Sequence, residues 1–247
     1  KRLIHISSLS VSGNYLVKQN NKNVEFSENE LYIGKHYTKN VYVNSKYDAE
    51  KIIFSYMEQG LTAEILRVGI LSGRYLDGFF QKNISENAFY GRIKSLVDLH
   101  CVSKEMLDQK IEFTPVDLCA KSIVLLASSK KAENKVYHLY NHNLYTINEV
   151  LDVLKKFDVN IDVVSESDFE NKILNVSKDE TTNKSLKAII NDISIGRSGL
   201  ALDYGFTVNL KSDYTQNFLS KFNFTWPKND FIYLVKLIAY MKYVKFI

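Results

Sequence analysis

The stretch Gly60-Leu61-Thr62-Ala63-Glu64-Ile65-Leu66-Arg67-Val68-Gly69 decides the fold. Thr62 to Val68 reads as a strand closed by Gly69. Just before it, residues 40–59 carry Val43, Tyr47, Ile53, Tyr56 and Met57 at helical spacing, and Gly60 is a natural helix stop. Further back, Leu3-Ile4-His5-Ile6 reads as a buried strand ending in Ser7-Ser8. Strand, loop, helix, glycine, strand is the rhythm of an α/β fold with a parallel sheet. A right-handed crossover puts the Ser8 end and the Val68 end on one carboxyl edge of that sheet, where open α/β folds bind ligands.

Residues 12–38 are polar, Asn-rich and aperiodic, which predicts a long surface loop. Beyond Gly69 the rhythm continues with a helix over 86–100, a short strand over 111–113, a helix from Pro115 and Asp117 to about Ala127, and a strand over 136–140. Pro115 suits the first helical turn, where its missing N–H costs little, and Asp117 suits the positive end of the helix dipole. After Asn141 the pattern turns mainly helical. Thr146…Glu149 and Ser167…Glu170 match the capping box, and helices follow over 213–222 and 231–244. The expected fold is therefore α/β, with a parallel sheet over 1–141 and a mostly helical lobe over 142–247.

Composition narrows the function classes. With 45% apolar and 13% aromatic residues in 247, the chain can build a sizeable core. Its 16 Tyr and 14 Phe against 10 Gly and 2 Pro favour long regular elements over tight turns. The net charge of +4 is dispersed in pairs such as Lys130-Lys131, with no basic stripe interleaved with aromatics, so no nucleic-acid partner is expected. Cys101 and Cys119 have no CxxC spacing and read as buried thiols of a reducing, cytoplasmic compartment. No apolar run approaches the ~18 residues of a membrane span, and no signal peptide is visible, so no membrane partner is expected. The chain opens with Lys1 directly before a strand, which suggests a piece of something longer.

Tyr42 and Lys46 lie four apart on the predicted helix, one turn apart on one face. A free phenol, with a pKa of about 10, exchanges protons poorly at neutral pH. A neighbouring ammonium stabilises the phenolate and makes a Tyr a usable general acid. Ser8, at the tip of the preceding strand, can hydrogen-bond a substrate oxygen as charge develops on it. These three residue types form a coherent set for carbonyl reduction, although the bare spacing is common on helix surfaces.

Ile6-Ser7-Ser8-Leu9-Ser10-Val11-Ser12-Gly13, Tyr42-Val43-Asn44-Ser45-Lys46-Tyr47-Asp48-Ala49-Glu50 and Ile65-Leu66-Arg67-Val68-Gly69 together resemble the extended short-chain dehydrogenase/reductases. More narrowly, Arg67-Val68-Gly69-Ile70-Leu71-Ser72-Gly73, Gly78-Phe79-Phe80-Gln81-Lys82-Asn83, Glu86-Asn87-Ala88-Phe89, Phe113-Thr114-Pro115-Val116-Asp117 and Phe224-Thr225-Trp226-Pro227 resemble the thioester reductase domains of nonribosomal peptide synthetases and carboxylic acid reductases. The resemblance implies NADPH-dependent release of an acyl or peptidyl thioester, bound to a phosphopantetheinyl carrier protein domain, as an aldehyde or an alcohol. It implies Tyr42 as proton donor, Lys46 as its tuner and a ribose ligand, and Ser8 in the place usually held by Thr or Ser. It places Ser7, Tyr42, Lys46, Val68, Gly69, Ile70 and Leu71 around the cofactor. It also implies that the sheet over 1–141 is the distal part of a Rossmann-type parallel sheet.

One departure is large. The ten glycines contain no G-x-G-x-x-G or G-x-x-G-x-x-G, so this stretch of chain is not expected to hold NADPH well by itself. Two other readings stay open: a sugar-nucleotide epimerase or dehydratase of the same superfamily, and an inactive carrier-binding remnant. Phe79 and Phe80 could line a substrate channel, and Asn83 and Asn87, read as four apart on one helix face, could meet a pantetheine arm; core packing and solvation are the plainer alternatives. His5 reads as a satisfied core histidine. His138 and His142 straddle a strand end and a loop, so no metal pair is expected.

Overall fold

The computed structural model describes residues 1–12, 23–28, 41–176, 186, 207–228 and 230–247. Its first elements are strands β1 (Leu3–Ser8) and β2 (Asn23–Phe26), helix α1 (Val41–Glu58), strands β3 (Ala63–Val68) and β4 (Leu71–Ser72), and helix α2 (Ala88–Leu99). Strands β5 (Cys101–Ser103), β6 (Lys110–Ile111) and β7 (Thr114–Pro115), helix α3 (Val116–Ala127), and strands β8 (Lys135–Leu139) and β9 (Tyr145–Thr146) follow. Helix α4 (Ile147–Lys156), strand β10 (Asp162–Val164), helix α5 (Glu166–Val176), strand β11 (Thr207–Leu210), and helices α6 (Asp213–Ser220) and α7 (Phe231–Tyr243) complete the described chain.

The α/β expectation holds. β1, β3 and β8 form one parallel sheet in that order, with Ser8 opposite Val68 and Val68 opposite Leu139. All six residues of β3 are buried, as a central parallel strand requires. Strand periodicity then sorts them by face. Ala63 and Ile65 pack with Ile53, Phe54 and Met57 of α1, while Leu66 and Val68 pack with Cys119 and Leu126 of α3. Arg67 shares the odd face, so it points toward α1.

The described residues group into two units. The first gathers those of Lys1–Leu71, Asp117–His142 and Phe206–Trp226; the second gathers those of Ser72–Val116, Asn143–Gly205 and Pro227–Ile247. α6 and β11 belong to the first unit, where Phe218 and Leu219 of α6 pack with Tyr137 and Leu139 of β8. Trp226 joins the same core, edge-on to Phe224 with ring centroids 5.2 Å apart.

Two local expectations need correction. The loop expected over 12–38 contains β2, which pairs in parallel with β11 from Asn23 opposite Thr207 to Phe26 opposite Leu210. Its partner is too distant in sequence for a local pattern to reveal, and residues 13–22 and 29–38 of that stretch lie outside the described residues. The cap expected at Ser167 sits two residues earlier. Ser165 Oγ accepts from the Asp168 backbone N–H at 3.2 Å and donates to its carboxylate at 2.7 Å, so Ser165 and Asp168 make the reciprocal cap.

The other capping box forms as expected. Thr146 Oγ1 accepts from Glu149 N at 3.1 Å, and Glu149 Oε2 accepts from Thr146 N at 2.6 Å. Thr146→Ala is expected to lower the unfolding free energy by about 1 kcal/mol, read from the urea midpoint at unchanged slope. Cys101 and Cys119 are buried and are not joined in a disulfide. No helix among the described residues is long and apolar enough to cross a membrane.

Candidate active site

The first unit carries Ser8, Tyr42 and Lys46, the residues expected from sequence to handle the proton. Ser8 ends β1 in extended conformation and caps a short 3-10 turn over Leu9–Val11. Its Oγ accepts from Ser10 N at 3.2 Å and from Ser10 Oγ at 2.9 Å. With two acceptor positions used, the Ser8 proton remains for an outside acceptor, and no described residue takes it. Accepting two hydrogen bonds also polarises the O–H toward donation.

α1 begins at Val41, so Tyr42 and Lys46 stand on successive turns at its N-terminal end. Tyr42 is 55% exposed. Ser45 Oγ donates to the Tyr42 carbonyl at 2.8 Å and satisfies a backbone group beside it. Lys46 Nζ donates to the Ile6 carbonyl at 3.2 Å and lies 6.0 Å from the centre of the Tyr42 ring. The ammonium therefore spans from the end of β1 to the aromatic ring. The structure thus brings Lys46 to the strand end that carries Ser8 and stations Tyr42 one turn away.

The remaining expected residues fall in three environments. Gly69 N donates to the Leu139 carbonyl at 3.0 Å, extending the ladder one step past β3. Ile70 is part-buried, and Leu71 packs against the core cluster of α3 and β8. Ser7 is buried and its hydroxyl donates to Glu50 at 2.5 Å, so its side chain faces the interior of the first unit. His5 departs from the satisfied core residue expected. It is only half-buried, its Nε2 has no partner among the described residues, and burial followed by the Lys46 charge holds its pKa below the usual value.

Phe79, Phe80, Asn83 and Asn87 belong to the second unit. Phe79 is 45% exposed with its ring 5.1 Å from Tyr240, and the Phe80 ring lies 4.9 Å from Tyr90. Gly73 is pinned between two tyrosines: its N–H donates to Tyr90 at 2.8 Å and its carbonyl accepts from Tyr233 at 2.6 Å. Gly78, at φ +76°, makes the turn there, in a conformation that disfavours any side chain. Asn83 and Asn87 do not share an α-helical face. Asn83 precedes a 3-10 turn, and Asn87 is the extended residue before α2, where its Oδ1 accepts from Tyr90 N at 3.2 Å. Capping drew Asn87 out of the helix.

Sequence reasoning missed a buried polar network under the Tyr42–Lys46 end of α1. The Glu50 carboxylate accepts from Ser7, from Arg67 Nε at 3.0 and 3.2 Å, and from Arg67 Nη2 at 2.8 Å. Arg67 Nη1 donates to His138 Nε2 at 3.1 Å, and His138 Nδ1 donates to the Lys211 carbonyl at 2.7 Å. The carbonyl can only accept and the guanidinium can only donate, which fixes His138 as the neutral Nδ1–H tautomer. Burial, reinforced by the Arg67 charge, pushes the His138 pKa down to about 3. Phe26 stacks on His138 at 5.3 Å and lies under the Arg67 guanidinium at 4.8 Å. A signal was available: Glu50 falls on the stripe of Val43 and Tyr47 that the helix buries.

Comparison with known proteins fits this geometry. Residues 1–123 match the family described as male sterility protein. A thiolation-reductase di-domain from an archaeal nonribosomal peptide synthetase superposes with a TM-score of 0.81 at 28% identity, covering 99% of this chain and 49% of that one. The terminal reductase domain of the myxalamid biosynthetic pathway gives 0.82 at 20% identity over 100% of this chain and 59% of that one. Yeast Gre2, a methylglyoxal/isovaleraldehyde reductase solved with NADPH, shares the fold at 0.61 and 15% identity, over 100% and 65%. The chain thus spans about half to two thirds of these structures. No curated protein matches it. The family match over residues 1–123 and the 28% identity to a synthetase reductase domain support a thioester reductase domain of the extended short-chain dehydrogenase/reductases.

Proposed function

We propose that the full-length protein releases an acyl or peptidyl chain from a phosphopantetheinyl carrier domain by NADPH-dependent reduction of its thioester to an aldehyde. The observation that carries this reading is the convergence of Ser8, Lys46 and the Val68 end of β3 on one carboxyl edge of the parallel sheet, with Tyr42 one turn above. The side chains present suit the nicotinamide–ribose end of such a cofactor: an ammonium, a phenol and a hydroxyl whose proton no described residue takes. Lys46 and Tyr42 would hold the ribose, and Val68 to Leu71 would pass beside the ring. When bound, the dinucleotide supplies the hydride.

The residues of the chain manage the oxygen and the proton. Ser8 donates its free proton to the thioester carbonyl oxygen and stabilises the charge that gathers there. Tyr42 delivers a proton to the same oxygen, and the Lys46 ammonium stabilises the phenolate left behind. The resulting hemithioacetal breaks its C–S bond, its hydroxyl proton passes to the departing thiol, and the aldehyde is free. Steady-state NADPH oxidation by the full-length protein with a carrier-bound thioester tests the reading, with Tyr42→Phe as the discriminating variant. Undiminished turnover in that variant overturns the mechanism.

A further inference from the structure

We propose that Glu50 and Arg67 are positioning residues for Ser8, Tyr42 and Lys46, a buried clamp that fixes α1 against the carboxyl ends of β1 and β3. The inference rests on the reductase reading above and assigns a role to groups that mechanism does not touch. Tyr42, Lys46 and Glu50 recur every four residues on α1, so one helix face runs from an exposed phenol to a fully buried carboxylate.

That carboxylate meets both strands at one level. Ser7 and Arg67 are direct register partners in the parallel ladder, and each immediately precedes a site residue, Ser8 on β1 and Val68 on β3. Glu50 takes the Ser7 hydroxyl at 2.5 Å and the Arg67 guanidinium at 2.8–3.2 Å. One carboxylate therefore ties helix, first strand and second strand together just below the Lys46 anchor on the Ile6 carbonyl.

The clamp is closed on its far side too. Arg67 is fully buried, held between Glu50 and the Nε2 of neutral His138 with Phe26 across its face. Sliding α1 by one turn would separate a buried carboxylate from the buried guanidinium that balances its charge, which is far costlier than shifting an apolar contact. Well-packed apolar residues could hold the helix as firmly, but they would not dictate its register so sharply. Register matters here because a misplacement of about 1 Å at a reacting group can cost on the order of a hundredfold in rate.

The test uses the full-length protein carrying Ser7→Ala or Glu50→Gln, with Tyr42→Phe as control. Glu50→Gln is expected to lower kcat about a hundredfold and Ser7→Ala about tenfold, with KM for thioester and for NADPH within about twofold. Amide exchange over Ser45–Glu50 is expected to quicken about tenfold in both, while the β8 amides stay as protected as before. Ser7→Ala removes one hydroxyl and no charge, so it decides the matter if Glu50→Gln does not fold. A folded variant with kcat within about twofold of the parent, or exchange that quickens equally across the sheet, overturns the positioning role. Turnover that survives Tyr42→Phe instead overturns the reductase reading, and the local exchange still reports on the clamp.

Discussion

Replacing Tyr42 by Phe in the full-length protein is expected to lower kcat for carrier-bound thioester by about 10²–10⁴-fold while leaving KM and melting temperature near those of the parent. The size follows from what is removed. Phe keeps the ring and loses the hydroxyl proposed to protonate the substrate oxygen, so for the thioester the loss falls on the transition state, while the KM for NADPH reports any part that hydroxyl has in holding the ribose. The expected indifference of stability follows from the position. Tyr42 is 55% exposed in the first turn of α1, and exposed substitutions away from special features seldom move stability by more than about 0.5 kcal/mol. Ser8→Ala is expected to cost less, because Tyr42 can still supply the proton. If Ser8→Ala proves the more damaging of the two, Ser8 and not Tyr42 is the principal group at the oxygen.

The parts of this site that were legible in the sequence are those written in local periodicity. β1, α1 and β3 lie close to where the apolar spacing puts them. Their order alone implied a parallel pairing with Ser8 and Val68 at the same edge, and the register bears this out. What was not legible depends on pairing across long stretches of chain. β2 acquires its identity from β11, and α6 joins the first unit because it covers β8. Neither follows from any window of neighbouring residues.

The buried network lies between these extremes. Glu50 and Arg67 both stood inside motifs quoted for the family, yet each looked like an ordinary charged residue. The physical clue was contextual: a Glu on the stripe of Val43 and Tyr47, and an Arg in a strand whose every other position is buried. A lone charge in such a place is prohibitive, so two of them on facing elements imply each other. The same logic explains why Asn87 was misread. Its side chain satisfies an orphan N–H at the start of α2, a role invisible until the helix start is known.

Acid is expected to unfold the protein through His138 to a degree that one substitution exposes. The folded protein holds His138 neutral, with a pKa of about 3, while an unfolded histidine titrates near its ordinary 6.5. Between those values the unfolded chain binds a proton that the folded chain refuses. The stability is therefore fully present above about pH 6.5 and falls as the pH drops toward 3, by up to tenfold in the folding constant per pH unit, or about 4 kcal/mol by pH 3.5. The groups facing the imidazole are the Arg67 guanidinium of β3, the Lys211 carbonyl after β11 and the Phe26 ring of β2, while the Thr215 hydroxyl of α6 accepts from the His138 backbone N–H. None of these titrates in that window. Glu50 and Glu28 stand one hydrogen bond further out, through Arg67 and Thr215, and are common to parent and variant. His138→Gln can still accept from Arg67 and donate to Lys211, and it loses the stacking on Phe26 together with the titration. Urea unfolding from pH 8 to pH 4 is expected to show the variant about 1–2 kcal/mol less stable at the alkaline end, the two curves crossing between about pH 6 and pH 5, and the variant the more stable at pH 4. Parallel curves would mean that His138 takes up its proton in the folded protein over the same pH range as in the unfolded chain, and the neutral tautomer that closes the Arg67 clamp would then be wrong.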